Sequence, residues 1–307
     1  MATLRPIGPA GAAVCAVLMA LPGAAAAQNV TIVNPDTSFP EGPLWHGGQL
    51  YYVEYGANTV MVWDGAENHE VWRQDGCGPS AVIAVTDETF AVTCYDSGTM
   101  ELITPTGEPI ETIDADDDGN PLHGPNDAVA DGAGGFYFSA SGIWDAAAPI
   151  EGRVYLHRAD GSTVEVANDI HYSNGVALSP DGTSLYVSEM GAQRVLRFTR
   201  NADGTLGNRY LFARLSDLAP DLPEFDIYMG PDGLRTDAAG NVYIAQFEGG
   251  RILVADPDGQ PVEVIEIPAL YVDNMEFGDD ESVLFVTAVI DAWTEPYPGQ
   301  VYRIERE

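Results

Sequence analysis

One construction recurs along the chain. A polar residue is followed by a short apolar run, a glycine-containing turn and a second apolar run. It is plain in GPNDAVADGAGGFYFS (residues 124–139), SNGVALSPDGTSLYVSE (173–189) and GPDGLRTDAAGNVYIAQ (230–246). Related starts occur in PEGPLW, GPSAVIAV and VDNMEFGD. Aligning these starts makes Glu41, Ser80, Asn126, Asn174, Asp232 and Asn274 equivalent, at separations of 39, 46, 48, 58 and 42 residues. Each interval has room for four short strands of alternating apolar and polar residues, separated by Gly-, Asp-, Asn- and Pro-rich turns. Six such units predict an all-β fold, a six-bladed β-propeller of four-stranded blades. A two-sheet sandwich is the competing architecture, but it leaves six matched starts unexplained.

The final unit, with NMEFGD, SVLFVTAV and GQVYRIE, is one strand short. The segment NVTIVNP reads as a lone strand near the start of the chain. The expectation is that this N-terminal strand completes the last unit and closes the ring, which removes exposed sheet edges. Residues 28–307 read as one propeller domain, and residues 1–27 as a secretory signal peptide with one Arg, no acid and an Ala-rich end. Cys15 sits in AAVC, a poor lipid-attachment context, which favours a soluble periplasmic or secreted protein over a lipoprotein and gives no membrane insertion after cleavage. Two cysteines remain, Cys77 and Cys94. Export permits a disulfide between them, and the sequence leaves a bridge and two buried thiols both open.

The chain carries 47 acidic and 13 basic residues, a net charge of −34. Such a surface repels phosphates and excludes general nucleic-acid binding. It fits either a solvated acidic surface in salty surroundings or affinity for divalent cations, and local spacing must decide. In a propeller the first strand of each blade lines the central channel, so six matched positions converge. Here they offer carboxylate, amide and hydroxyl oxygens, a donor set suited to Ca²⁺ and less to Zn²⁺ or Mg²⁺. Asn and Asp before a strand also serve turns and caps. Glu41, between Pro40 and Gly42, has no routine turn role and is the strongest single signal. Asp127, one residue beyond Asn126, should point away from the channel and be structural.

EGPLW, PNDAVAD, NGVALSPDGTSLYVSE, PDGLRTDAAGNVYIAQ and GGRILVADPDG together resemble the SMP-30/gluconolactonase/LRE family. The resemblance implies a six-bladed propeller with Ca²⁺ at the channel mouth and hydrolysis of lactones. By motif match it implies metal ligation by Glu41, Asn126, Asn174 and Asp232. Asp232 is then the catalytic group that orients or deprotonates a water attacking a metal-polarised carbonyl. The implied partner is a small-molecule ester or lactone. A phosphotriester or other ester hydrolase on the same site, and a non-catalytic ligand-binding propeller, are the alternatives. The chain departs from the family in NPLHGPND, where Pro121 and His123 replace the polar residues expected near an Arg that holds sugar acids, and at Ser173, where Pro is usual. A sugar-lactone specificity therefore does not follow.

The expected substrate-binding residues are Asn126, His123, Asn274 and Ser80. His171 and Tyr172 are weaker candidates, and Trp45, Trp144 and Trp293 are candidate apolar walls. The stretch DLPEFDIYMG (221–230) is a candidate lid or a plain long loop. DADDDGN (114–120) resembles the opening of a calcium loop, but Pro125 stands where a bidentate Glu is needed, so it reads as a solvated acidic turn with a second calcium site as the alternative.

Overall fold

Several strands of this chain, such as Gln49–Glu54 and Phe136–Ala140, are buried on both faces and need cover on each side. The computed structural model, which describes residues 29–145, 147–219 and 229–306, resolves this by stacking small sheets face to face around an axis, as a β-propeller. Among the described residues there are four separate four-stranded sheets and one eight-stranded sheet. Within the four that stand alone, consecutive antiparallel strands lie side by side, apart from one partner described below. The eight-stranded sheet consists of two such meanders joined through a parallel bridge at Gly42 and Ala81. The expected signal peptide lies outside the described residues, as does most of the candidate lid.

The inner strands are Pro40–His46, Pro79–Thr86, Pro125–Ala130, Ser173–Leu178, Pro231–Thr236 and Tyr271–Phe277. Each packs against the next, and Tyr271–Phe277 returns to Pro40–His46. The strand Asn29–Ser38 pairs antiparallel with Pro298–Glu305, from Asn29 opposite Glu305 to Ser38 opposite Pro298. The core fills the spaces between adjacent sheets. One such layer holds Tyr243, Ile252, Val272, Met275, Val286 and Tyr302, all buried. Each side chain of this size removed from water contributes roughly 1.5–3 kcal/mol, which is what binds one sheet to the next.

Cys77 and Cys94 form a disulfide, with Cα atoms 4.6 Å apart, inside the second meander. In the acidic stretch 114–120, Asp116 accepts hydrogen bonds from the backbone N–H groups of Asp118 and Asn120 and from the Asn120 amide. Asp117 accepts from the Thr163 N–H at 2.9 Å. These carboxylates hold their own turn and a neighbouring strand, as Asx turns do. Among the described residues, no helix is long and apolar enough to cross a membrane.

Candidate metal centre and cavity

Every inner strand breaks its ladder at the same place. The register shifts between Glu41 and Leu44, Pro79 and Ala81, Pro125 and Ala128, Ser173 and Val176, Pro231 and Leu234, and Val272 and Asn274. A break of this kind frees one residue from strict in–out alternation and re-aims its side chain. Glu41, Ser80, Asn126, Asn174 and Asp232 sit at these breaks, and all five line one cavity of about 300 Å³. The four residues expected to hold a metal are therefore brought to one place.

The sixth break corrects the sequence alignment. Asn126, Asn174 and Asp232 each stand two residues before the residue that resumes the ladder, Ala128, Val176 and Leu234, whereas Ser80 is the single residue skipped between the paired Pro79 and Ala81. In the last inner strand pairing passes from Val272 opposite Ala288 to Asn274 opposite Thr287 and skips Asp273, just as Ser80 is skipped, so the floor position there is Asp273, not Asn274. Carboxylate oxygens of Glu41, Asp232 and Asp273 all lie within 4.8 Å of one another. Asn274 is turned away. Its amide lies where a Cβ on Gly233 would be, at 2.2 Å, and it hydrogen-bonds the buried Asp127. The signal was present in VDNMEFGD as two adjacent polar residues, of which the first is the one the ladder leaves out.

The residue after each floor position forms the next layer down the axis. It is Gly42, Ala81, Gly175 and Gly233 in four strands, where bulk has no room. A Cβ on Gly42, whose φ is +36°, would stand 2.2 Å from the Cα of Ala81. The two larger occupants, Asp127 and Asn274, fill the axis together. Asp127 accepts from the N–H groups of Ala128 at 2.8 Å and Val176 at 3.1 Å. Its Oδ2 lies 3.8 Å from Nη1 of Arg235, whose Nε donates to Glu276 at 3.0 Å. Asp127 thus holds neighbouring strands together, but it stands on the axis beneath the cavity rather than pointing away from the channel as expected, and Arg235 links it to Glu276.

Charge is concentrated on the floor. Burial, then repulsion from Asp232, pushes the Glu41 carboxyl well above the usual range. Burial and Asp127 do the same to Asp232, and burial with Glu41 and Asp232 to Asp273. Asp232 Oδ1 and both Asp273 oxygens are buried without a hydrogen bond. Buried ionised oxygens without partners are costly, and a cation held among them removes both the repulsion and the deficit. The donor set of three carboxylates and two amides, all oxygen, suits a hard divalent ion. Asn174 hydrogen-bonds Asp232 and approaches Met190 Sδ at 3.8 Å.

The remaining candidates separate. Ser80 lines the cavity, but its hydroxyl donates to the carbonyl of Asn126 at 2.8 Å and so steadies that residue's backbone. His123 lies outside the cavity. Its half-exposed ring faces Glu151 at 3.9 Å, because the chain turns away from the axis before Gly124. His171 is also outside, whereas Tyr172 lines the cavity. Trp144 and Trp293 form part of the wall, stacked with centroids 5.2 Å apart. Trp45 stacks on Phe285 at 5.1 Å in the core instead.

A β-propeller with a carboxylate floor at the mouth of its channel defines the class. The chain belongs to the SMP-30/gluconolactonase/LRE-like family, whose model matches residues 39–290. It is 26% identical over 265 residues to a pentonolactonase of Haloferax volcanii, covering 83% of each chain. It is 32% identical over 166 residues to a 6-deoxy-6-sulfogluconolactonase of Pseudomonas putida, a match spanning 53% of each chain. The fold is that of a gluconolactonase from Xanthomonas campestris, with a TM-score of 0.75 at 23% identity over 98% of this chain and 99% of that one.

Proposed function

We propose that this protein is an exported Ca²⁺-dependent hydrolase of lactones, built on a six-bladed propeller closed by its N-terminal strand. The blade count treats the eight-stranded sheet as two blades that touch at Gly42 and Ala81, and closure rests on the pairing of Asn29–Ser38 with Pro298–Glu305. Export rests on the leader sequence, and a disulfide between Cys77 and Cys94 suits an oxidising compartment. Lactone hydrolysis is supported by the family and by relatives named as lactonases.

The observation that carries the metal reading is the trio of buried carboxylates, two of which, Asp232 and Asp273, have unpartnered oxygens. Glu41, Asp232 and Asp273, with the side-chain oxygens of Asn126 and Asn174, would hold the ion. When bound, it supplies positive charge facing the carbonyl oxygen on which negative charge develops. Asp232, with an unpartnered Oδ1, orients the water and takes its proton. The water oxygen forms the new bond to the carbonyl carbon, the ring C–O bond breaks, and the proton passes from Asp232 to the departing alkoxide. Glu41 anchors charge at the floor, and the hydroxyl of Ser80 keeps Asn126 in place.

Chelation followed by Ca²⁺ add-back tests the metal. Asp232→Asn tests the base: turnover should drop by about 10²–10⁴-fold even at saturating Ca²⁺. Undiminished turnover of the fully loaded variant would remove Asp232 from the chemistry.

A further inference from the structure

We infer that the ester opened in this cavity carries an aromatic or alkyl body rather than a polyol, an inference that rests on the lactonase reading above and narrows its substrate. The cavity is divided by polarity. Its oxygen donors are gathered on the floor, and aromatic rings make its walls. On one side Trp144 stacks on Trp293 and meets Phe247 edge-on at 5.7 Å. On the other, Phe39 packs against Tyr55 at 5.5 Å and Tyr297 at 6.1 Å.

The polar atoms of four wall residues are already directed at the protein. The Tyr55 hydroxyl donates to Asp96 at 3.0 Å, Tyr95 to the Gly142 carbonyl at 2.7 Å, and Tyr172 to Tyr95 at 3.3 Å. The Trp293 indole donates to the Tyr271 hydroxyl at 3.0 Å. Among the described residues, no Arg, Lys or His lines the cavity, so nothing there matches a carboxylate or sulfonate on a sugar acid. A net charge of −34 also disfavours the approach of an anion. The rim is apolar too: Ile143, Ile290 and Trp293 stand 64%, 50% and 52% exposed on the two loops that carry the stacked tryptophans.

A polyol lactone presents a hydroxyl on nearly every carbon. Burying each against an aromatic face that offers it no hydrogen bond loses roughly tenfold or more in affinity. A lactone with a single polar group at its ester and an apolar body meets floor and wall with matching chemistry.

The Ca²⁺-loaded protein should be assayed on an aryl δ-lactone (dihydrocoumarin), an alkyl δ-lactone and glucono-δ-lactone. The expected kcat/KM for the first two exceeds that for the third by at least about tenfold. Trp293→Ser should raise KM for the apolar lactones about 5–20-fold and that for glucono-δ-lactone by a clearly smaller factor. Quenching of tryptophan fluorescence by dihydroquinolinone, the lactam isostere of dihydrocoumarin, should report binding without turnover. Preference for glucono-δ-lactone, or a Trp293→Ser effect equal on all three, overturns the inference and leaves the lactonase reading intact. Lactam binding without hydrolysis of any lactone upholds the apolar site and overturns the lactonase reading. Neither binding nor hydrolysis overturns both.

Discussion

Asp273→Asn tests the floor most directly, because the variant should be more stable than the parent when no cation is present. Carboxylate oxygens of Asp273 lie within 4.8 Å of those of Glu41 and Asp232. At an effective dielectric of about 20, each pair of like charges at that separation repels by about 3.5 kcal/mol. Two such pairs exceed what a carboxyl sustains near neutral pH. Taking up a proton relieves the repulsion at a cost of about 4 kcal/mol, from about three pH units at 1.36 kcal/mol each. Proton uptake therefore caps the relief, and the asparagine amide can donate to Glu41 or Asp232 where the aspartate had no partner. A gain of about 1–4 kcal/mol corresponds to roughly 2–8 °C in Tm for a chain of this size. The assay is thermal unfolding with EDTA and again with saturating Ca²⁺. In EDTA the variant should melt higher. With Ca²⁺ the order should narrow or reverse, because the parent binds the ion at least about tenfold more tightly and gains the corresponding linkage free energy. Equal destabilisation by Asp273→Asn in both buffers would refute the reasoning and make Asp273 an ordinary buried polar residue.

Acidity should act through the same group. The raised carboxyls of Glu41, Asp232 and Asp273 keep more protons in the folded than the unfolded chain from about pH 4 upward. Stability in EDTA should therefore fall as pH rises through that window, Ca²⁺ affinity should rise over the same range, and Asp273→Asn should flatten both slopes in melts and calorimetric titrations. Arg235→Gln removes the cation between Asp127 and Glu276 and should cost about 3–5 kcal/mol in urea unfolding, since the buried Asp127 and the partly exposed Glu276 lose their partner. A loss below about 1 kcal/mol would mean that this link carries little stability.

The repeat itself was legible because it is local. Alternation, turn residues and a polar residue at each inner-strand start are all written within short stretches, and five of the six floor positions can be aligned by eye. Asp127 was correctly separated from the floor, but the ladder breaks at this point, and simple alternation did not show that its carboxyl stays on the axis one layer down. The same rule misled at VDNMEFGD, where two polar residues are adjacent and the choice depends on where the ladder resumes after its break. His123 lies beside a floor strand in sequence, yet the turn at Gly124 carries it away from the axis.

What the chain by itself determined was the kind of unit, its repetition, and oxygen-bearing residues at matched starts, since strand periodicity and turn chemistry act over a few residues. Only the tertiary structure decided that Asp273 joins Glu41 and Asp232, that Asn274 completes the layer beneath, and that Trp144 meets Trp293 across more than a hundred residues of chain. Those outcomes depend on packing several sheets around one axis, where a register shift of one residue in one strand exchanges a ligand for a buttress, and no local pattern records the distances across that axis.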